Sequence, residues 1–375
     1  MAAAPSDALV RQGCMKIPRK FLDAGAKAGA AGTDGDAYGH VRGLGGMSYD
    51  ARAGAAAKHR DVVLEEMLLA PGKETVTFGD VVGLEAAKRS LNEAVVLPLV
   101  APQFFTGARR PWNGVLLFGP PGSGKTLLAR AVAAVNGVSF FDAGAAALLD
   151  KFWGESEKLV RALFACAREV APAIVFMDEI DALMGDRERE SGNGSDESSR
   201  RLKVEILAQM DGLETAAHRP EGAGADGGAA PGRVIVIAAS NMPWELDDAF
   251  RRRLEKRVYV PPPDAASREG LLRALLADVP VAAGVEYAGL AARAAGYSGA
   301  DVLAAARDAA YAPVRRLLAA RTPAEIAALR PAGGGIAVPE ITVADLEAAL
   351  DRTRPAAPRD ALARYEAWDA TFGSH

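Results

Sequence analysis

Gly119-Pro120-Pro121-Gly122-Ser123-Gly124-Lys125-Thr126 decides the fold of this chain, because the apolar run Val115-Leu116-Leu117-Phe118 precedes it and a helical pattern follows. Strand, glycine-rich turn and helix, in that order, are the context in which G-x-x-x-x-G-K-[ST] is a phosphate-binding loop. The glycines let the backbone turn tightly enough for successive N–H groups to face phosphate oxygens. A helix opening near Thr126 adds the positive end of its dipole. Lys125 is placed to reach the β- and γ-phosphates, and the Thr126 hydroxyl to hold Mg²⁺. The expected ligand is a nucleoside triphosphate, contacted by Gly119, Pro120, Pro121, Gly122, Ser123, Gly124, Lys125, Thr126 and Leu127.

Outward from this loop, apolar strand segments alternate with helical ones. Val115–Phe118, Ser139–Phe141, Ile174–Met177, Val234–Ala239 and Arg257–Val260 read as strands. Asp61–Leu69, Leu84–Val96, Thr126–Val135, Ser156–Glu169 and Ser199–Met210 read as helices. Such alternation predicts a parallel sheet with helices on both faces, an α/β fold. His218–Gly232, rich in Gly, Ala and Pro, reads as a surface loop. Pro261-Pro262-Pro263 ends the last strand, since proline cannot donate to a sheet ladder. Beyond it the chain is Ala/Leu-rich and helical. The expected organisation is an Ala/Gly-rich disordered tail over 1–60, a large α/β domain over 61–262 and a smaller helical domain over 263–375.

Chemistry collects at strand ends. Ile174-Val-Phe-Met-Asp178-Glu179 is an apolar strand closed by two carboxylates, where a parallel sheet places its nucleotide site. Asp178 is expected to hold Mg²⁺ and Glu179 to orient and polarise the attacking water. Asp181 is expected to cap the helix that follows. Asn241, ending the strand from Val234, reads as a contact to that water or to the γ-phosphate, or as a turn-forming Asn. Arg251-Arg252-Arg253 offers an arginine finger or a solvated face. Lys151-Phe152-Trp153, two bulky aromatics and a lysine beside a glycine, reads as a substrate-gripping loop.

At 375 residues, half of them hydrophobic and a quarter charged, the composition is that of a globular protein with room for two domains. A net charge of −4 gives no nucleic-acid or membrane-surface signature, and no apolar stretch approaches a membrane span. Cys14 and Cys166 make no disulfide framework, which fits a reducing compartment. His40, His59, His218 and His375 lack ligand spacing, so nucleotide-borne Mg²⁺ is the one metal expected.

From Val76 onward these pieces resemble the AAA ATPases, and within them the microtubule-severing branch of the katanin catalytic subunits. The resemblance is carried by Glu93-Ala-Val-Val-Leu-Pro98, Phe104-Phe105-x-Gly107-x-Arg109-Arg110-Pro111-Trp112, Gly154-Glu-Ser-Glu-Lys-Leu-Val-Arg161 and Ser199-Arg200-Arg201-Leu-Lys203. Arg251-Arg-Arg-Leu-Glu-Lys-Arg257, Gly296-Tyr-Ser-Gly-Ala-Asp301, Thr322-Pro-Ala-Glu-Ile326 and Arg364-Tyr-Glu-x-Trp368-x-x-x-Phe372-Gly-Ser374 extend it to the C-terminus.

The resemblance implies an AAA α/β domain followed by a small helical lid and a C-terminal helix, Ala361–Phe372, folded back on the ATPase domain. It implies a hexameric ring with ATP and Mg²⁺ between subunits, hydrolysed by an enzyme of hydrolase or isomerase class. Lys125, Glu179, Asn241, Arg252 and Arg253 would be its catalytic residues, the two arginines acting on the neighbour's nucleotide. Lys151, Phe152 and Trp153 would form a first pore loop and Asp186–Ser198 a second. Acidic tubulin tails would be the threaded substrate, in the cytoplasm, on the microtubule cytoskeleton at a spindle pole or ciliary base. A katanin regulatory subunit is an implied partner. The chain departs from the pattern in three places. The family's N-terminal microtubule-interacting domain has no counterpart before the core. Ser195-Asp196-Glu197 stands where a histidine is usual, and Trp153 where a smaller or basic residue is. Spastin and fidgetin, the endosomal-sorting ATPase, and a ring component that binds nucleotide and tubulin without severing are the competing readings.

Overall fold

The computed structural model describes residues 58–69, 76–105, 107–134, 138–149, 156–184, 195–217, 233–319, 321, 338–356 and 359–374. Among the described residues six strands form one sheet: β1 Leu68–Leu69, β2 Gly114–Phe118, β3 Ser139–Asp142, β4 Ala173–Met177, β5 Val234–Ser240 and β6 Lys256–Tyr259. Their spatial order is β1-β3-β4-β5-β2-β6. All neighbours are parallel except β1, which runs antiparallel to β3 with Leu68 opposite Phe141.

The parallel sheet expected from sequence is present, with one short antiparallel strand added at its edge. Asp61–Leu69 is not helical throughout: helical winding ends at Met67, and Leu68–Leu69 pairs with the sheet. Two residues are too short for a periodicity to register, and the apolar character they share with the helix hides the switch. Leu84–Val96 is helical as expected: α1 (Glu85–Leu91) runs on into a wider, π-helical winding over Asn92–Val96.

The helices that cover the sheet are α2 (Lys125–Ala133), α3 (Ser156–Glu169) and α4 (Ser195–Ala217). The last is much longer than the predicted Ser199–Met210 and absorbs residues 195–198 of the expected second pore loop. The tail over 1–57, Lys151-Phe152-Trp153, residues 186–194, the insert 218–232 and Thr322–Ile326 lie outside the described residues.

Alternation along the strands sorts the core into two layers, as a pleat of period two requires. Leu116 and Phe118 of β2 face a layer with Phe141, Val175, Val236, Leu159, Phe164 and Ile206, closed by α3 and α4. Val115 and Leu117 face the other, with Phe140, Ile174, Phe176, Ile237, Leu91 and Leu128, closed by α1 and α2. Central strands are buried on both faces, which is why they read as continuous apolar runs.

After β5, Asp247 caps the short helix α5 (Asp248–Arg253) by accepting from the Phe250 N–H at 2.9 Å. The helices α6 (Ala265–Leu275), α7 (Tyr287–Arg293), α8 (Gly299–Ala319) and α9 (Val343–Arg352) then build a separate core on Leu272, Leu290, Val302, Leu346 and Leu350. The last helix, α10 (Arg359–Phe372), leaves that core and returns to the sheet. Its Tyr365 and Trp368 belong to the layer of Phe118, with the Trp368 and Phe118 rings edge to face at 4.5 Å. Arg257 donates to the Phe372 carbonyl at 3.0 Å, and the Ser374 N–H donates to Arg257 O at 2.9 Å.

Trp368→Ala removes the ring that fills the space under Phe118 and is expected to cost ~3–5 kcal/mol of stability. An equilibrium urea titration checks this through a lower midpoint, and a midpoint equal to wild type would show that α10 does not hold the large domain together.

Candidate nucleotide site

The P-loop leaves β2 at Phe118 and enters α2 at Lys125. It lies between β5 and β6, where connections depart to opposite sides of the sheet, the place an open α/β sheet offers a ligand. Gly122 has φ +73, and a Cβ there would lie 2.8 Å from both Ser298 Oγ and the Ala300 Cβ, so only glycine fits. No side chain caps α2 at Gly124, which leaves its first N–H groups without an intrahelical acceptor.

Inside the loop, Lys125 Nζ donates to the carbonyls of Gly119 and Pro120, each at 2.9 Å. Burial pulls its ammonium down to about 8, against the opposing pull of Asp178, Asp181 and Glu179. Ser123 Oγ is buried and has no partner among the described residues. Pro120 is buried, whereas Pro121 and Leu127 are exposed at the loop's outer rim.

Across β5, Thr126 Oγ1 donates to Asp178 Oδ2 at 2.6 Å, joining the two residues expected to hold the metal. Glu179 follows at φ +53, the left-handed region in which a non-glycine residue costs about 1 kcal/mol or more. Its N–H donates to Asp178 Oδ1 at 2.9 Å and its carbonyl accepts from Ala182 N at 2.9 Å, so both ends of the strained residue are held. The Glu179 side chain is exposed. These groups fit a magnesium-bound triphosphate: an uncapped helix start, a buried ammonium, a partnerless buried hydroxyl and a hydroxyl–carboxylate pair converge on one loop.

Asp181 does not cap the helix after β4. That helix starts at Ile180, so Asp181 lies within its first turn and turns back across the sheet. Its Oδ1 accepts from the Asn241 N–H at 3.1 Å, while Tyr365 of α10 donates its hydroxyl to Asn241 O at 2.5 Å. Asn241 therefore stands at the end of β5, beside the carboxylates of β4, held by two groups distant in sequence.

The three arginines separate. Arg251 is ion-paired to Asp248 and lies over the Phe372 ring at 5.0 Å. Arg253 forms a two-pronged pair with Asp211 of α4, at 2.5 and 2.6 Å. Arg252 is exposed and has no partner among the described residues, which leaves it free to reach out of the chain. Sequence makes Arg252 and Arg253 look alike, because nothing in a run of arginines shows which one meets an aspartate 42 residues earlier.

The lid contact also escapes the sequence reading. Ala300 N, at the start of α8, donates to Gly122 O at 3.2 Å. Asp301 Oδ2 accepts from the Ser298 N–H, the Ser298 hydroxyl and the Ala356 N–H at 2.8, 2.8 and 3.1 Å, and so shapes that helix start. The signal is present as Ser298-x-x-Asp301, a capping-box spacing.

A sequence model of the ATPase family associated with various cellular activities (AAA) matches residues 115–262, and one of the AAA+ lid domain matches residues 284–329. The katanin p60 ATPase-containing subunit A1 of Arabidopsis thaliana is 44% identical over 299 residues, 80% of this chain and 55% of that protein. The chain belongs to the AAA ATPase family, on the katanin branch. The FIGL-1 AAA domain in complex with ADP matches this AAA ATPase with a TM-score of 0.70 and 36% identity, over 85% of this chain and 98% of that one. A structure described as the basis for katanin self-assembly matches with a TM-score of 0.64 and 35% identity, over 89% of this chain and 98% of that one. The chain spans 55–65% of the length of curated katanin subunits that it matches. Among the described residues no helix is long and apolar enough to cross a membrane, and no cluster of His, Cys, Asp and Glu forms a separate metal site.

A polyphosphate gives Lys125 the counter-charge that burial denies it, so nucleotide binding is expected to raise its pKa and take up a proton. Uptake approaches about half a proton at pH 8 and fades towards pH 6.5, where the lysine is already charged. Calorimetry in Tris and in HEPES measures it as the buffer-dependent part of the binding heat. Lys125→Met should abolish that part, and an equal uptake in the mutant would remove Lys125 from the phosphate contact.

Proposed function

We propose that this chain is the motor of an ATP-driven microtubule-severing enzyme, working as a homo-hexamer. The observation that carries the reading is the convergence of Lys125, Thr126, Asp178, Glu179 and Asn241 at the carboxyl ends of β2, β4 and β5 in a chain homologous to katanin. Lys125 and the N–H groups of residues 122–126 would bind the phosphates of ATP, with Pro121 and Leu127 at the rim. Thr126 and Asp178 would hold Mg²⁺, which supplies charge neutralisation at the phosphates when bound. Glu179, held at a strained backbone position next to Asp178, orients and polarises the water that attacks the terminal phosphorus. Asn241 fixes that water from the adjoining strand. The chemistry is hydrolysis of a phosphoanhydride; tubulin changes its assembly and not its covalent structure.

Arg252 is the finger best placed to act on a neighbouring subunit's nucleotide, being exposed and without a partner among the described residues. Arg253 would join it only after exchanging Asp211 for phosphate, and this exchange makes its contribution depend on assembly. The proposed first pore loop, Lys151, Phe152 and Trp153, presents a cation and two large rings to an extended acidic tail. Coulombic attraction brings such a tail in, and ring contacts give the grip on which a pulling stroke depends. Extraction of tubulin from the lattice would then break the filament, placing the protein in the cytoplasm on the microtubule cytoskeleton. A katanin-type regulatory subunit would supply additional targeting.

Glu179→Gln keeps the shape of the side chain and removes its basicity. In the presence of ATP, wild-type protein is expected to break surface-tethered fluorescent microtubules, and the Glu179→Gln form to bind them without breaking them. Hydrolysis in solution alongside intact filaments would leave an ATPase whose substrate lies elsewhere. Equal effects of mutant and wild type on filaments would favour a ring component that acts without turnover.

A further inference from the structure

The C-terminal helix meets the nucleotide site at one atom. Asn241 lies just beyond β5, where no ladder fixes its backbone, and the hydroxyl of Tyr365, 124 residues away, donates to its carbonyl oxygen at 2.5 Å. On the other side of the same residue, Asp181 accepts from the Asn241 N–H at 3.1 Å. Ser240 Oγ receives the Met242 N–H at 3.0 Å and shapes the turn between them. The peptide groups flanking the Asn241 Cα are thus fixed, one by Asp181 of the short helix that follows Asp178 and Glu179, the other by α10.

Tyr365 is well suited to hold such a position. Its side chain is buried, with Trp244 at 5.0 Å and Tyr259 at 6.3 Å between ring centroids. Burial pushes its phenol up, with the charge of Asp181 adding to the effect, so it stays a proton donor across the neutral range. Arg364 stacks on Trp244 at 3.7 Å, and Trp368 anchors the following turn against Phe118. Farther along the same helix, Phe372 lies under Arg251 and its carbonyl takes a hydrogen bond from Arg257. One rigid element therefore spans from the backbone of Asn241 to the base of the arginine run.

We propose that Tyr365 is a positioning residue for hydrolysis: by fixing the Asn241 carbonyl it sets the direction in which the Asn241 amide faces the attacking water, making α10 part of the nucleotide site. The inference rests on the reading of Asn241 as the polar residue that holds that water. It assigns to the helix a role in turnover that is separate from its role in packing, and a single oxygen atom distinguishes the two.

Tyr365→Phe removes that oxygen and keeps the ring. In the full chain at a concentration that supports assembly, kcat for ATP is expected to fall about tenfold, with KM and the thermal midpoint close to wild type. In an Asn241→Ala background the same substitution should have no further effect, since the two residues act through one contact. An unchanged kcat in Tyr365→Phe would overturn the inference while leaving the ATPase reading intact. So would effects of the two substitutions that simply multiply, or a loss of activity that tracks a lower thermal midpoint. If the wild-type chain itself hydrolyses no ATP, the ATPase reading falls and the inference falls with it.

Discussion

The hydrogen bond between Thr126 and Asp178 ties the first turn of the P-loop helix to the end of a strand two places away in the sheet. Neither residue could be there without two buried strands held in a fixed register. A parallel sheet satisfies its backbone groups internally and buries both faces, so its polar chemistry is pushed to the strand ends. There β2, β4 and β5 deliver a loop of N–H groups, two carboxylates and an amide to one edge. Register does this work: Phe118 lies level with Ser240, whereas Met177 lies level with Ala238, so Asp178 and Glu179 leave the sheet alongside the last residues of β5 and beneath the P-loop that leaves β2. The apolar residues behind them are the means by which the polar ones are aligned.

The same alignment decides which features the amino-acid sequence announces by itself. A run such as Ile174-Val-Phe-Met followed by Asp-Glu signals both a buried strand and its chemical end, because burial and polarity change over one peptide bond. The same holds for Val234 through Asn241 and for the P-loop itself. What stays hidden depends on contacts between distant residues. Asp181 reads as a cap because a cap is a local motif, whereas its bond to Asn241 spans 60 residues. Arg253 reads like its neighbour, and only its pairing with Asp211 sets it apart. The edge strand β1 is two leucines long and carries no pattern of its own. Tyr365 belongs to one of the strings shared with the katanin branch, but a shared string gives no indication of where a hydroxyl ends up.

The strained backbone at Glu179 follows the same division of labour. A left-handed glutamate survives because Asp178 holds its N–H and Ala182 its carbonyl, so the conformation is imposed by the groups around it. The cost is local and the benefit is directional: the chain turns sharply after β4 and sends the carboxylate away from the apolar layer instead of into it. The residue one position earlier, Asp178, meets Thr126, and the one after begins the helix that carries Asp181. Glu179 thus keeps its carboxylate solvated directly beside Asp178.

The lid constrains the loop from the opposite face. Gly122 is usually explained by the tight turn around a phosphate, yet here the steric limit comes from the lid, whose Ser298 and Ala300 leave no room for a Cβ. The Ala300 N–H spends itself on the Gly122 carbonyl, so the loop that would cradle the nucleotide is also the seat of the lid helix. The start of α8 is held in turn by Asp301, which also takes the Ala356 N–H just ahead of α10. α10 returns to Asn241. Ala300 N–H to Gly122 O ties loop to lid, Ala356 N–H to Asp301 Oδ2 ties the lid to the segment ahead of the C-terminal helix, and the Tyr365 hydroxyl ties that helix to the residue after β5. A shift of the lid relative to the sheet cannot leave the Ala300–Gly122 contact unchanged, so the shape of the loop and the position of the lid helix are set together.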